Sequence, residues 1–306
     1  MPLAHEAIPR RLLSPRHWPA WIGLLVIRLI ACLPYPALMA LGRVIGRASG
    51  LLMPGRRRTA AINLELCFPQ LDQRARARLL RANLANVGVM LVEFALGWMA
   101  SSRALQRLPV RIEGLEHLQL ARMQGRGVLL VGAHFTHLEL CARQLAMRIP
   151  LAGMYRVMDN PVFEYAVLRA RLRYATAMFT KDDLLGCVRH LRHGGVLWYA
   201  PDQDMRGKDV VFVPFFGVQA ATITATHHLV RLSGAVVLPF AHRRERGGKY
   251  VISIRPPVSP FPTSDIRSDI TRINQTIEAM VRAAPEQYLW IHKRFKTRPQ
   301  GVPPPY

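Results

Sequence analysis

Half of the 306 residues are hydrophobic, the mass is 34.6 kDa and the mean hydropathy is +0.10. The chain therefore has ample material for a buried core, which excludes a disordered protein. Forty-two Lys and Arg against nineteen Asp and Glu give a net charge of +23, so we expect a polyanionic partner: nucleic acid, anionic lipid or an acidic protein.

The N-terminal region contains two apolar stretches. Residues 18–33 are apolar except for Arg28, and residues 37–53 follow Pro34 and Pro36. Sixteen helical residues reach about 24 Å, which is short of the hydrocarbon core of about 30 Å. Basic residues precede the first stretch and no convincing small-residue cleavage site follows it, so we favour a retained membrane anchor over a signal peptide. A shallow monotopic anchor and a helical hairpin buried in the main domain are the alternatives.

Basic charge beside an apolar anchor favours an anionic bilayer surface over nucleic acid. No helix-turn-helix, zinc finger or RNP-like segment occurs in the sequence, so we expect no nucleic-acid partner. We divide the chain into a basic hydrophobic anchor, residues 1–53, and a larger domain, residues 54–306.

Downstream, the hydrophobic pattern predicts a long helix followed by alternating strands and helices. Residues 72–100 are typical of a helix in a core or interface. The predicted strands are 128–133, 152–156, 196–200, 210–215, 235–240 and 250–254. The predicted later helices are 137–147, a helix that begins at Asn160-Pro161, 181–195 and 264–284. This alternation predicts an α/β sheet with helices on its faces.

The four cysteines are widely separated: Cys32, Cys67, Cys141 and Cys187. No CxxC or Cys/His cluster has the spacing of metal ligands, so the sequence predicts neither a structural zinc site nor a disulfide framework. Reduced cysteines are typical of a cytosol-facing protein.

His134 and Glu139 form the pattern His, four residues, acid, directly after the predicted strand 128–133. In an α/β sheet, the carboxyl ends of the strands line the ligand crevice. A carboxylate in the first turn of the next helix that orients the imidazole would make His134 a general base for a hydroxyl nucleophile. The spacing alone is weak evidence for a catalytic pair. The alternative is a His that caps the helix and a Glu that is exposed to solvent. His137 is the rival base, although no acid follows it at the same offset.

The stretch GVLLVGAHFTHLEL resembles the lipid A late acyltransferases, the lauroyl and myristoyl transferases of Gram-negative bacteria. The resemblance covers nearly the whole chain and includes NLELCFPQ (63–70), YRVMDNPVFE (155–164), RLR (171–173), WYAPDQD (198–204), VFVPFFG (211–217) and PEQYLWIHKRFKTRP (285–299). It implies a glycerolphosphate-acyltransferase-like α/β fold, in which a mixed sheet is flanked by helices and preceded by a hydrophobic membrane anchor.

The resemblance implies transfer of a fatty acyl chain, with lauroyl favoured, from acyl carrier protein to a hydroxyacyl chain of Kdo-lipid IVA. The alternative is a myristoyl or palmitoleoyl transferase, or an acyltransferase for another glycolipid acceptor. The implied partners are acyl carrier protein, the phosphorylated glycolipid and the anionic bacterial inner membrane, with the catalytic domain on the cytoplasmic face. We expect no metal and no tightly bound cofactor, because the acylated carrier protein is a co-substrate.

Carried over to this sequence, the resemblance makes His134 the base and Glu139 its partner. Arg171 and Asp202 match further positions of the family. Arg171 would neutralise a phosphate or stabilise an oxyanion, and Asp202 would hold Arg171 or His134 in place. The alternative for Asp202 is a turn residue after a proline. Arg169 and Arg173 are close alternatives to Arg171.

A basic cluster near the C-terminus consists of His292, Lys293, Arg294, Lys296 and Arg298. We expect it to dock phosphate groups, Kdo carboxylates or the acidic surface of the carrier protein. A solvated basic tail is the alternative for this cluster.

Overall fold

The computed structural model describes residues 8–306, so the first seven residues of the predicted anchor lie outside it. Within that range the strands are, in chain order, β1 (Val110–Glu113), β2 (Val128–Val131), β3 (Ala152–Tyr155), β4 (Ala177–Thr180), β5 (Val196–Tyr199), β6 (Val210–Phe215), β7 (Val218–Ile223), β8 (Val236–Arg244) and β9 (Tyr250–Ile254).

Seven of these strands form one twisted layer in the order β1-β9-β8-β2-β5-β3-β4, while β6 and β7 pair as a separate antiparallel hairpin. Neighbours in the large sheet are parallel, except that β8 and β9 are antiparallel. The predicted mixed α/β sheet is therefore confirmed. The predicted strand 210–215 also forms, but it lies in the hairpin rather than in the large sheet.

The helices of the described range surround this sheet. They are α1 (Trp18–Ile30), α2 (Tyr35–Leu52), α3 (Pro54–Cys67), α4 (Gln73–Met99), α5 (Ser102–Gln106), α6 (Leu115–Met123), α7 (Leu138–Ala146), α8 (Pro161–Arg171), α9 (Leu184–Arg192), α10 (Ala225–Ser233) and α11 (Ile266–Ala283). The prediction that a helix begins at Asn160-Pro161 is confirmed: the Asn160 side chain caps α8 by accepting from the backbone N–H of Val162 at 2.9 Å.

The central strand β2 separates two hydrophobic cores. Its four residues are all fully buried, and alternate side chains point to opposite faces of the sheet. Leu129 and Val131 join the core beneath α10 and α11, whereas Val128 and Leu130 join the core beneath α4 and α7. Burial on both faces explains why the sequence of this strand is an unbroken run of apolar residues.

Helix α2 packs closely along α4 through glycines. A Cβ atom on Gly88 of α4 would lie 2.1 Å from the carbonyl oxygen of Gly42, and one on Gly46 would lie 2.3 Å from that of Leu84. Residues larger than glycine would push these two backbones apart. The second apolar stretch of the N-terminal region is thus packed onto the helical layer of the protein.

Helix α1 exposes much of its apolar surface. It has 13 residues and exposes a row of large apolar side chains, namely Trp18, Ile22, Leu25, Val26 and Leu29. By length and composition, α4 is the one helix of residues 8–306 that could cross a membrane, but 44% of its most apolar window is buried inside the protein. Buried core helices meet the same criteria, so α4 is weak support for a membrane span.

Candidate active site

The loop of residues 132–137, which we call the β2–α7 loop, carries His134 at the carboxyl end of β2. The segment that follows α11 holds this loop in place. The backbone N–H of Leu289 donates to the carbonyl of His134 at 3.0 Å, and that of Thr136 donates to the carbonyl of Gln287 at 2.8 Å. Backbone pairing therefore fixes the position of His134.

Asp202 is the hydrogen-bond partner of His134. It follows β5, the parallel neighbour of β2, so both residues lie at the same edge of the sheet. His134 Nδ1 donates to Asp202 Oδ1 at 2.6 Å, and the His134 backbone N–H donates to Oδ2 at 2.9 Å. The hydroxyl of Tyr288 also donates to Oδ2, at 2.9 Å. The expectation that Glu139 orients His134 is wrong, and the expectation that Asp202 holds either His134 or Arg171 is resolved in favour of His134.

The pairing sets the protonation of both groups. Burial disfavours the imidazolium form, but the charge and the hydrogen bond of Asp202 outweigh it and raise the pKa of His134. Burial likewise opposes ionisation of Asp202, but the charge and hydrogen bonds of His134 lower its pKa to about 2. The His134 side chain is 29% exposed and its Nδ1 is engaged, so Nε2 is the nitrogen that a substrate can reach.

Glu139 pairs with Arg171 instead. The guanidinium donates from Nε to Oε1 at 2.9 Å and from Nη2 to Oε2 at 2.6 Å, a bidentate arrangement, and Tyr174 donates its hydroxyl to Oε1 at 3.0 Å. Both carboxylate oxygens are therefore occupied. Gly97 of α4 makes room for this pair, because a Cβ there would lie 2.9 Å from Glu139 Cγ.

Two helix ends bring this ion pair together. Glu139 lies in the first turn of α7, where the helix dipole favours a negative charge, and Arg171 lies in the last turn of α8, where it favours a positive one. Burial raises the pKa of the Glu139 carboxyl, but the charge and hydrogen bonds of Arg171 outweigh it, so the net pKa is lowered. Glu139 is thus held as a carboxylate.

The structure decides between the residues that the sequence left as alternatives for the base and for the arginine. His137 is fully buried among aromatic rings, so a substrate hydroxyl has no access to it. Arg169 contacts Tyr165, and Arg173 is exposed. Arg171 is therefore the arginine of its segment that pairs with Glu139.

The basic cluster divides into surface and interior residues. Lys293 is exposed beside the ring of Tyr306, and His292 accepts a hydrogen bond from the Asp204 backbone N–H at 3.1 Å. Arg294 is 2% exposed and donates to the carbonyl of Ala221 at 2.6 Å and to the Thr222 hydroxyl at 2.7 Å. The expectation that Arg294 docks a partner is wrong, because its side chain is buried and its Nη1 and Nη2 donate to oxygens of β7.

Sequence reasoning missed Tyr174, Gly97 and Tyr288 as parts of the site. Tyr174 directly follows the RLR segment and Tyr288 lies within PEQYLWIHKRFKTRP, so both stood in segments already singled out. Nothing in the local pattern marked Gly97, since its role depends on a contact with another helix.

Comparisons with known proteins show which sequences this chain is similar to. The family model described as bacterial lipid A biosynthesis acyltransferase matches residues 7–297. A lipid A biosynthesis lauroyltransferase of Escherichia coli (strain K12) is 41% identical over 96% of this chain and 97% of the relative. A palmitoleoyltransferase of the same organism is 40% identical over 95% of each chain. A myristoyltransferase from that organism is 31% identical over 95% of this chain and 91% of the relative.

Proposed function

The chain belongs to the bacterial lipid A biosynthesis acyltransferase family, and from that premise we propose that it transfers a lauroyl chain from acyl carrier protein to a hydroxyacyl chain of Kdo-lipid IVA. The observation that carries the chemistry is the His134–Asp202 pair, which engages Nδ1 of a partly exposed imidazole and leaves Nε2 available to a substrate. The chain shares more of its sequence with the lauroyltransferase (41%) and the palmitoleoyltransferase (40%) than with the myristoyltransferase (31%). This difference supports lauroyl or palmitoleoyl transfer over myristoyl transfer.

The reaction begins at the acceptor hydroxyl. His134 Nε2 removes the proton from the 3-hydroxyl of an acyl chain on the glycolipid, and the oxygen attacks the thioester carbonyl of the carrier protein. The tetrahedral intermediate collapses as the C–S bond breaks. The imidazolium returns its proton to the departing phosphopantetheine thiolate, so the products are an ester and a free thiol. No side chain of the protein forms a covalent intermediate.

Asp202 supplies the electrostatic part of this step. Its carboxylate stabilises the positive charge that His134 acquires when it takes the proton, and it fixes the tautomer with Nδ1 protonated. Because its pKa is about 2, Asp202 stays ionised throughout the neutral pH range.

Glu139 and Arg171 have a separate role in this proposal. Arg171 uses Nε and Nη2 on Glu139, so Nη1 is the guanidinium nitrogen that can face a phosphate or the developing oxyanion. Glu139 holds the guanidinium plane in place, because the bidentate contact fixes its orientation. The ion pair is therefore a positioning device for one cationic donor.

The protein meets the membrane, in this proposal, through α1 and the basic residues around it. The exposed apolar row of α1 would lie in the headgroup region, with Arg10, Arg11 and Arg16 at its N-terminal side. A length of 13 residues, about 20 Å of helix, supports an interfacial position over a span. The anchor of residues 1–53, whose helix α2 also packs on α4, and its place at the cytoplasmic face of the inner membrane both belong to this proposal.

A groove of about 530 Å³ lies between α2, α3 and α4. Arg47, Arg57 and Arg81 line it around the apolar side chains of Leu51 and Leu80. Within residues 8–306, none of the three arginines lies within 4 Å of a carboxylate, so their charges are available to an anionic lipid headgroup.

A donor-competition assay tests the proposed function. The purified chain in detergent is incubated with radiolabelled Kdo-lipid IVA and with carrier protein charged with twelve-, fourteen- or sixteen-carbon chains, including palmitoleoyl. We expect transfer, fastest from the lauroyl donor, and loss of transfer in His134→Ala but not in the exposed control His228→Ala. Preference for the palmitoleoyl donor would replace the lauroyl proposal, and no transfer from any donor would reject the proposed reaction.

A further inference from the structure

Three potential metal ligands meet between α7 and β8, behind the β2–α7 loop. His137 directly precedes α7, and Cys141 lies one helical turn later, so the two side chains lie on the same face of the helix. His242 lies on β8. One ligand atom from each residue lies within 4.8 Å of those of the other two, and all three side chains are buried.

The two imidazoles lack well-formed hydrogen bonds among the described residues. Within residues 8–306, no ring nitrogen of His137 or His242 makes a hydrogen bond of normal geometry, although the His137 ring lies close enough to the His242 backbone for a weak one. A neutral imidazole has one N–H donor and one acceptor nitrogen, and leaving such a buried group unsatisfied costs about 1–3 kcal/mol. Nearby, the hydroxyl of Tyr250 donates to Oε1 of Glu93 at 2.6 Å, while Oε2 of Glu93 is buried without a partner. What distinguishes this place from other unpaired buried atoms is that the imidazole nitrogens lie beside a third potential ligand, the Cys141 sulfur.

We propose that His137, Cys141 and His242 bind a structural zinc ion. Two imidazole nitrogens and one thiolate are a donor set that Zn²⁺ prefers, and it accepts water or a carboxylate as a fourth ligand. A tetrahedral zinc ion would hold these atoms about 3.3–3.6 Å apart, so the side chains need to move inward by about 1 Å at most. A water molecule fits less well, because the thiol is a poor hydrogen-bonding partner.

The surrounding charges suit a cation with one thiolate ligand. Burial lowers the pKa of both histidines, that of His242 to about 3, so both imidazoles are neutral and able to coordinate. Burial and the Glu93 charge raise the pKa of the Cys141 thiol, and a bound dication reverses that by stabilising the thiolate. Oε2 of Glu93 is buried without a partner, while its Oε1 pairs with Arg244. The positive charge of nearby Arg244 is thus already compensated by the Glu93 carboxylate.

A zinc ion here would tie the first turn of α7 to β8. Glu139 lies between the two helical ligands, and His134 lies three residues before His137. The ion would therefore fix the backbone that presents both groups, without contacting substrate. This is a positioning role, and the site itself does not depend on the proposed function.

Metal content tests the site directly. The full chain, grown with zinc, freed of its affinity tag and dialysed against metal-free buffer in detergent, is expected to retain about one zinc per chain. Cys141→Ala is expected to retain at least tenfold less. Cys187→Ala removes a buried cysteine elsewhere and is expected to keep the ion.

Protein grown with cobalt gives a second readout that does not depend on the stability of a variant. A thiolate-to-cobalt charge-transfer band is expected in the unmodified chain and in Cys187→Ala, and its absence is expected in Cys141→Ala. An unmodified chain that carries neither zinc nor this band would overturn the proposal, and so would a band that survives in Cys141→Ala.

Discussion

Asp202 accepts two hydrogen bonds from His134, one from the ring at 2.6 Å and one from the backbone at 2.9 Å. The two residues are far apart in sequence. They meet because each follows the carboxyl end of one of two adjacent parallel strands, β2 and β5. A single carboxylate therefore fixes both the loop and the tautomer of the imidazole.

Asp202→Asn is expected to reduce kcat by about 10²–10⁴-fold, since the imidazolium loses its counter-charge. It is also expected to shift the acid limb of the pH–rate profile to lower pH. The reason is that the Asp202 charge raises the pKa of His134, and the base is active only when neutral. The radiolabel transfer assay across pH measures both effects, with exposed Asp182→Asn as the matched control. An unmoved acid limb would argue that Asp202 does not set the His134 pKa.

Glu139→Gln is expected to lower activity without moving the acid limb, because its carboxylate contacts Arg171 rather than the base. It is also expected to lower the free energy of unfolding by about 1–3 kcal/mol, since the half-buried guanidinium of Arg171 loses its carboxylate partner. Denaturant unfolding followed by tryptophan fluorescence measures the loss, and Arg173→Gln, at an exposed neighbour, is the control. A shift of the acid limb like that of Asp202→Asn would restore Glu139 as the partner of His134.

Gly97→Ala is expected to displace the Glu139 side chain and reduce kcat by at least tenfold, because the new methyl group would lie 2.9 Å from Cγ. Gly55→Ala is the control, since a Cβ at that helical position meets no atom within 4 Å. Alanine there is expected to stabilise α3 by up to about 1 kcal/mol. Equal activity of the two variants would show that the Glu139 position is not needed for transfer.

Leu25→Glu combined with Leu29→Glu is expected to weaken membrane association, because two charges would enter the apolar face of α1. Flotation with vesicles that contain anionic phospholipid measures the bound fraction. Leu120→Glu combined with Met123→Glu places the same charges on α6, where both residues are also exposed. Equal losses in both double variants would mean that net charge, rather than the α1 surface, governs binding.

Arg294→Ala is expected to destabilise the fold by about 1–3 kcal/mol, since two buried oxygens of β7 lose their donors. Lys296→Ala removes an exposed charge from the same cluster and is expected to leave stability unchanged within about 0.5 kcal/mol. Binding of the acylated carrier protein, measured by fluorescence anisotropy, is expected to weaken for Lys296→Ala. A stable Arg294→Ala with weakened carrier binding would return Arg294 to the docking surface.

Much of the fold followed from the sequence, because the hydrophobic period is a local property. The strand at 250–254 and the long helix over 73–99 lie almost where they were predicted. Short, half-buried strands such as β1 and β4 were missed, since four residues with mixed burial give no clear alternation. The predicted strand 210–215 was grouped with the other strands of the sheet, because partner choice leaves no mark within one strand, and its hairpin partner β7 was not predicted.

The sequence by itself determined the family resemblance, the alternation of strands and helices, and His134 at the end of a strand. Which acid serves this histidine was decided by the tertiary structure. Glu139 is near in sequence, but α7 turns its carboxylate toward the end of α8, whereas Asp202 is distant in sequence and lies one strand away. Hydrogen bonds act over about 3 Å of space, and strand order, rather than residue spacing, sets those distances.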